Sequence, residues 1–350
     1  MKIAITADLH LGNKTQNPER FNVLLDIFKY LKETQISNLI IAGDCFDQSN
    51  SSVNLLEEAF SLIQNDQLRI WLLPGNHDQQ LRQSQFNNEQ ITLIEDTQII
   101  KFGSRKFLFI PYNDQKTIGS EIGRFSEELK NQPWILIGHG DLSSNNKLQT
   151  EYEKGIYMPL SSRDIEIFQP RLVIMGHIHM QYSTDFFHYP GSPCGLDITE
   201  TGKRRFLILD TNSLAVESVF VKTEVIFLNE KVLVFPSENE KTIIKTKLDQ
   251  IINQFDSEEI KKINIRVSLY GYSIDRNAAN KTAKEYFSVD RKVKNFEIKI
   301  TDLLFAQTDQ IRQLISNKVR GEIANIELGK YELIREKIIE QSLKIIFNGK

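Results

Sequence analysis

Five short apolar runs in this chain stop abruptly at Gly, Asp, Asn or His, and every stop offers a side chain able to bind a metal ion. Residues 2–7 lead into Asp8-Leu9-His10, and residues 38–43 into Asp44. Residues 69–74 lead into Gly75-Asn76-His77-Asp78, residues 134–138 into His139, and residues 171–176 into His177-Ile178-His179. Apolar runs of this length bounded by turn residues read as buried strands. Between the first three lie helical patterns, one over 18–32 with apolar residues at Phe21, Leu24, Leu25, Phe28 and Leu31, the other over 53–64. That alternation predicts a layered α/β sheet. Pro18 suits a helix start. Ser51, Ser52 or Asn54 is expected to cap the second helix, with Glu57 and Glu58 early in it, where acidic groups favour the dipole.

From 186 to 220 apolar segments alternate with turn residues, which predicts a second, more antiparallel sheet after the histidine motifs. The pattern changes again near 222–240. Beyond it short strands (263–269, 294–300) alternate with helices (243–255, 308–316, 331–346). A length of 350 residues suits two cores, so the expected domains are 1–222 and a smaller α+β domain, 223–350, ending in a helix. Residues 1–224 hold 21 Lys+Arg against 28 Asp+Glu, net −7, whereas 225–350 hold 22 against 18, net +4. A chain of near-neutral total charge can therefore still present a mildly basic part to a polyanion. Two cysteines, Cys45 and Cys194, make no disulfide framework, and no apolar run approaches the roughly 18 residues of a membrane span, so a cytoplasmic protein without a membrane partner is expected.

In extended backbone, residues two apart share a face, so Asp8 with His10 and His177 with His179 are expected to aim ligands together while Leu9 and Ile178 face the core. Asp8, His10, Asp44, Asn76, His139, His177 and His179 are seven candidate ligands, too many for one tetrahedral ion and suited to two ions sharing a carboxylate. Two ions about 3.5–4 Å apart can bind phosphate oxygens, acidify a water and stabilise an in-line displacement. Mixed O/N ligation without thiolate points to Mn, Fe or Zn. Against two ligand carboxylates, two dications leave a positive surplus that favours an anionic phosphodiester.

The pattern D-x-H, G-D, G-N-H-D, H and G-H-x-H resembles that of the calcineurin-like metallophosphoesterases. The resemblance implies a four-layer sandwich, two central β-sheets flanked by helices. It implies one ion on Asp8, His10 and His179, a second on Asn76, His139 and His177, and Asp44 as the bridge. His77, adjacent to Asn76, is then expected to point away from the metal towards the substrate, to stabilise charge or protonate the leaving oxygen, with Asp78 orienting it.

Within that superfamily, Asp8-Leu-His-Leu-Gly12, Gly43-Asp-Cys-Phe-Asp47 and Tyr189-Pro-Gly-Ser-Pro193 look like the SbcD-type double-strand-break repair nucleases. That resemblance implies a Mn(2+)-dependent exonuclease on duplex ends and endonuclease on single strands, a homodimer built on 53–64 and the segment after Asp78, and an SMC-like, SbcC-type ABC ATPase partner, for which the amphipathic stretch 331–346 is the local docking candidate, the alternative being that it packs on its own domain. Residues 223–350 would be the DNA-binding cap, and Lys14, Asn17 and Arg20 would touch DNA phosphates without reading bases. The chain departs from some relatives by carrying Asp47 where a second histidine can stand, and by Leu9 between the first ligands. His188 and Cys45 are expected to be structural, Cys45 as a small buried filler. The competing expectation is the same chemistry on nucleotides or other small phosphodiesters.

Overall fold

The computed structural model describes residues 1–47, 53–143, 156–306, 310–327 and 335–348. Its backbone divides into two compact units, Met1–Leu196 with Gly202–Glu224, and Val225–Lys350 with Asp197–Thr201.

Two six-stranded sheets organise the first unit. In one, Lys2–Thr6, Asn38–Ala42, Arg69–Leu73 and Ile91–Leu93 run parallel, and Arg205–Asp210 then Val216–Phe220 extend it antiparallel from the Lys2–Thr6 side. In the other, Arg105–Ile110, Trp134–His139, Leu172–Gly176 and Phe187–Tyr189 run parallel, edged antiparallel by Gln98–Phe102 and Tyr182–Ser183. The segments expected to form a separate sheet over 186–220 are instead shared between the two, because each edge had an unpaired strand to satisfy. The Gln98–Phe102/Arg105–Ile110 hairpin, turned at Gly103 (φ 62°), escaped the sequence reading.

Period-2 alternation decides the layers. Ile3, Ile5 and Ile40 pack against Phe107, Phe109, Ile135 and Ile174 between the sheets. Their neighbours Ala4, Leu39 and Ile41 face helices Pro18–Glu33 and Val53–Ile63 through Leu24, Phe28 and Leu56. On the far side Leu108, Leu136 and Val173 face Ile118 and Ile122 of helix Ile118–Arg124. The result is a helix–sheet–sheet–helix sandwich, each buried aliphatic or aromatic side chain contributing about 1.5–3 kcal/mol.

Pro18 occupies the first turn of its helix. Ser51 and Ser52 lie outside the described residues, while Asn54 sits inside the helix beginning at Val53, too late to cap it. Glu57 and Glu58 fall beyond the first turn and are used otherwise. Glu57 accepts from the Asn87 amide at 2.6 Å, and Glu58 pairs with Lys14.

In the second unit Ile226–Val234, Ile263–Ser273, Asn295–Lys299 and Leu303–Phe305 are all parallel. The first two crossovers carry helices Glu240–Ile252 and Arg276–Glu285, so this unit is α/β rather than α+β. Helix Arg276–Glu285, RNAANKTAKE, is nearly devoid of large apolar residues and was invisible to a periodicity search. Helices Gln310–Asn325 and Arg335–Asn348 follow. The expected starts at 308 and 331 fall outside the described residues. No helix among the described residues is long and apolar enough to cross a membrane.

Candidate metal centre

All seven candidate ligands lie at the C-terminal ends of parallel strands, where the loops of an α/β layer converge. The first two loops are zipped together by backbone bonds: Asp8 N–H donates to Gly43 O (3.1 Å), His10 N–H to Asp44 O (3.0 Å) and Leu11 N–H to Cys45 O (2.8 Å). The backbone between these ligands is not extended, contrary to expectation. The strand ends at Thr6, and Asp8, His10, Asp44 and His177 have φ of 54°, 45°, 48° and 94°. Ligands two apart still share a side because left-handed residues turn the chain around the centre. Leu9 and Ile178 are buried in the flanking cores. Holding a non-glycine residue in this region costs about 1–3 kcal/mol. The interloop bonds and buried flanking side chains offset it.

Two glycines are required for closeness. A Cβ on Gly43 (φ 93°) would lie 1.9 Å from His139 Nδ1, and one on Gly75 would lie 2.1 Å from Asp44 Oδ1.

Asp8, His10, Asp44, His139, His177 and His179 are buried, Asn76 is half-buried and His77 is exposed. His10 Nε2 stands 3.0 Å from His179 Nε2. His139 Nδ1 donates to Ala42 O at 2.8 Å, which leaves Nε2 a lone pair aimed at Asn76 Oδ1 (3.0 Å) and Asp44 Oδ2 (3.4 Å). His177 Nδ1 lies 2.9 Å from the same Asn76 oxygen. One oxygen of each carboxylate is positioned by a backbone amide, Asp8 Oδ1 by His177 N–H (2.9 Å) and Asp44 Oδ1 by His77 N–H (2.9 Å). The other oxygens, Asp8 Oδ2 and Asp44 Oδ2, are buried without a hydrogen-bond partner.

Buried lone pairs pointed at one another are unfavourable unless a cation lies among them. Donors bound at about 2.0–2.2 Å to one ion sit roughly 3–3.5 Å apart, the spacing found here. Ligand atoms within 4.8 Å of one another form the groups Asp8/His10/His179, His10/Asp44/His77 and Asp44/His139/His177. His10 and Asp44 each belong to two of them, and of the two only the carboxylate of Asp44 has a second oxygen with which to bridge. The donor set therefore fits two divalent cations.

The charges of these groups are strongly interdependent. Burial drives Asp8 upward. Burial also works against ionised Asp44, but the His139 and His10 imidazoles outweigh it and hold that carboxyl below the usual range. Burial disfavours charged His139, yet the Asp44 charge beside it raises it to about 10.

The remaining expected residues divide. His77 does not simply turn away from the ligands: its exposed ring meets His10 edge-on at 4.8 Å between centroids. Asp78, expected to orient that ring, has both carboxylate oxygens on backbone amides. It is fully buried and accepts from Gly75 N–H (2.6 Å) and Phe46 N–H (3.1 Å), tying two loops together. Burial and the Asp44 charge push Asp78 up to about 7. Arg20, expected on DNA, is used inward: it donates to His10 O at 2.8 Å and lies 3.5 Å from Asp47. Lys14 pairs with Glu58 and sits over the Phe21 ring, and half-buried Asn17 precedes helix Pro18–Glu33. Cys45 is fully buried, and His188 is 6% exposed.

Three further groups, to which the sequence gives no role at the site, stand beside the ligands. Asp47 Oδ1 lies 3.4 Å from His10 Nδ1. Asp141 Oδ1 lies 3.7 Å from His177 Nε2. Arg204 is buried and donates to the carbonyls of His179 and Ser192, fixing the last ligand loop. Asp141 follows His139 by two, the same spacing that drew attention to Asp8/His10, and could have been found by that rule.

With the geometry in hand, known proteins can be compared. The calcineurin-like phosphoesterase family model matches residues 1–181. A probable cyclic nucleotide phosphodiesterase of Coxiella burnetii is 26% identical over 205 residues, 53% of this chain and 79% of the relative. Among solved structures, a novel archaeal phosphodiesterase aligns at TM-score 0.35 and 18% identity, covering 63% of this chain and 99% of its own. A dimetal phosphatase from Danio rerio aligns at TM-score 0.44 and 9% identity, covering 63% and 96%.

Proposed function

The chain belongs to the calcineurin-like phosphoesterase family and is a metal-dependent phosphoester hydrolase; from that premise we propose that its substrate is a phosphodiester, and specifically a small nucleotide-type phosphodiester. The observation that carries the hydrolytic reading is the convergence of Asp8, His10, Asp44, Asn76, His139, His177 and His179 with two buried carboxylate oxygens left unpartnered. What favours a small diester is the similarity to a probable cyclic nucleotide phosphodiesterase over the part of the chain that carries these motifs.

Bound there, two divalent cations would act as Lewis acids on phosphate oxygens and lower the pKa of a water. The chain's own residues do the rest. Asp44 Oδ1 anchors the His77 amide. That fixes the backbone from which the exposed His77 ring reaches a phosphate, to donate a proton to the leaving oxygen. Asn76 contributes a neutral oxygen between His139 and His177, so the site gains an oxygen donor without another negative charge.

The second reading, a Mn(2+)-dependent DNA nuclease acting as a homodimer with an SMC-like ATPase, is favoured by the Asp8–Gly12, Gly43–Asp47 and Tyr189–Pro193 motifs and by the net +4 of residues 225–350. One experiment tests both. Purified protein is given bis(p-nitrophenyl) phosphate, 2′,3′- and 3′,5′-cyclic nucleotides, and end-labelled duplex and single-stranded DNA, with Mn(2+), Zn(2+) or Mg(2+) and with chelator. The small-diester reading expects nucleotide turnover with kcat/KM nearly flat in salt. Cleavage of DNA that falls steeply with salt, without nucleotide turnover, establishes the second. Absence of metal-dependent turnover on every substrate, or wild-type turnover by Asp44→Ala, overturns the hydrolytic assignment itself.

A further inference from the structure

Each buried histidine of the centre presents one ring nitrogen to the ligand cluster, and what holds the opposite nitrogen differs among them. His139 is settled: Nδ1 donates to Ala42 O at 2.8 Å, so Nε2 faces the cluster. His177 presents the other atom, Nδ1, 2.9 Å from Asn76 Oδ1. Its Nε2 lies 3.7 Å from Asp141 Oδ1. Two adjacent histidines thus use opposite nitrogens, and a neutral imidazole can do so only if the proton sits on the remote nitrogen of each.

We propose that Asp141 is the positioning residue that keeps the His177 proton on Nε2 and turns Nδ1 toward the metal. The inference rests on the metal-centre reading above. Three observations support it. Asp141 is 4% exposed, so its carboxylate acts in a water-poor setting where a nearby N–H is favoured. Its position is fixed from both sides: Oδ2 accepts from Tyr157 N–H at 2.8 Å, and its own backbone is paired in both directions, Asp141 N–H to Tyr157 O and Leu160 N–H to Asp141 O, each at 2.8 Å. The Tyr157 ring meanwhile packs on the His177 ring, 4.6 Å between centroids, and limits its rotation. Two stretches paired through their backbones, one at Asp141 and the other at Tyr157, thus control the remote nitrogen and the face of this ligand. Gly140, at φ 151°, allows the approach, since a Cβ there would lie 2.5 Å from Met158 O. Outer carboxylates of this kind fix ligand tautomer and raise ligand basicity, and their loss typically costs about 10–100-fold in metal affinity.

The test uses Asp141→Asn, which keeps an oxygen for the Tyr157 amide but removes the carboxylate charge. Zn(2+) binding is followed by calorimetry and by metal content, beside the metal-free melting temperature. The expected result is two ions on the wild type, about 10–100-fold weaker binding of one of them in the variant, an unchanged metal-free melting temperature, and restoration by Asp141→Glu. A purely structural Asp141 would lower the metal-free melting temperature and leave both affinities alone, which overturns the proposal. Independently of any variant, nitrogen-detected NMR of histidine rings in the Zn(2+)-loaded wild type reads the tautomer: His177 bound through Nδ1 with a proton on Nε2 is expected, and the reverse refutes it. If the wild type binds no metal at all, it is the centre that fails, an outcome distinct from two ions bound with the His177 tautomer reversed.

Discussion

Removing the Asp78 carboxylate should destabilise the protein before it touches the chemistry. Both oxygens are committed, Oδ1 to Gly75 N–H at 2.6 Å and Oδ2 to Phe46 N–H at 3.1 Å, at a fully buried position. Asp78→Ala orphans two buried amides, each worth about 1–3 kcal/mol. The expected loss is therefore about 2–6 kcal/mol against a total of about 5–15 kcal/mol. For a unit of this size roughly 2–4 °C follows each kcal/mol, a fall of about 5–20 °C in melting temperature. Asp78→Asn keeps one acceptor oxygen and should lose about half as much. Thermal and urea unfolding are measured from pH 8 down to about 5: a carboxyl pushed up to about 7 costs the folded state stability once ionised, so the difference from Ala should widen as pH falls through that value. Excess chelator keeps metal binding from masking the difference. Turnover is measured well below the transition of the variant. Unfolding of Asp78→Ala together with the wild type, while kcat collapses, would refute the reasoning: Asp78 would then act on the His77 ring, as the sequence suggested.

Gly43→Ala should lose metal binding and turnover together, because the added methyl meets the His139 ring at 1.9 Å in backbone of φ 93°; wild-type metal content in the purified variant would contradict that. Dialysis against chelator should abolish turnover and lower the melting temperature, since ions that bind only the folded chain contribute about 4 kcal/mol when free metal stands 1,000-fold above Kd; an unchanged melting curve in fully stripped protein would sink the cation assignment. Burial, with the Arg205 charge nearby, lowers His188 to about 4, so the folded form excludes a proton that the unfolded chain takes up below about 6.5. Its contribution is intact above pH 6.5 and is lost as pH falls towards 4. His188→Gln should therefore lose less stability than wild type between pH 7 and 5, and equal losses in urea titrations would refute it.

The fold class was legible because each sandwich strand that carries a ligand is a short, largely buried run that ends at a turn residue, as at Asn38–Ala42 and Leu172–Gly176. What stayed illegible was partnership. Arg20 reads as a phosphate contact beside the first metal motif, yet it donates to the His10 carbonyl, a contact that exists only once the loop after Lys2–Thr6 curls back over the helix start. Asp47 reads only as the occupant of a position where some relatives carry histidine, and Asp141 gives no signal of its own, for the same reason. The ligand types could be named from the sequence, but the turn that brings them together could not. Alternation predicted extended backbone between Asp8 and His10, and no propensity forecasts left-handed φ at two such residues. That geometry is imposed by the second loop, whose carbonyls at Gly43 and Asp44 take the amides of Asp8 and His10.

The same partnerships alter the charge argument made from the sequence. Two dications against Asp8 and Asp44 alone leave a surplus of two positive charges, enough to draw a polyanion. Asp47, 3.4 Å from His10, and Asp141, 3.7 Å from His177, bring two more carboxylates into the immediate surroundings, so two dications would be balanced rather than exceeded. The centre then polarises a phosphate locally without projecting a strong field, in a chain segment that itself carries net −7 over residues 1–224. A singly charged small diester needs no more than local contact. A nucleic acid, with a charge every 1.7 Å or so of duplex, would have to be attracted chiefly by the net +4 of residues 225–350. On the DNA reading, long-range attraction and hydrolysis would fall in separate stretches of the chain, and the salt dependence of turnover on each substrate tests that reading.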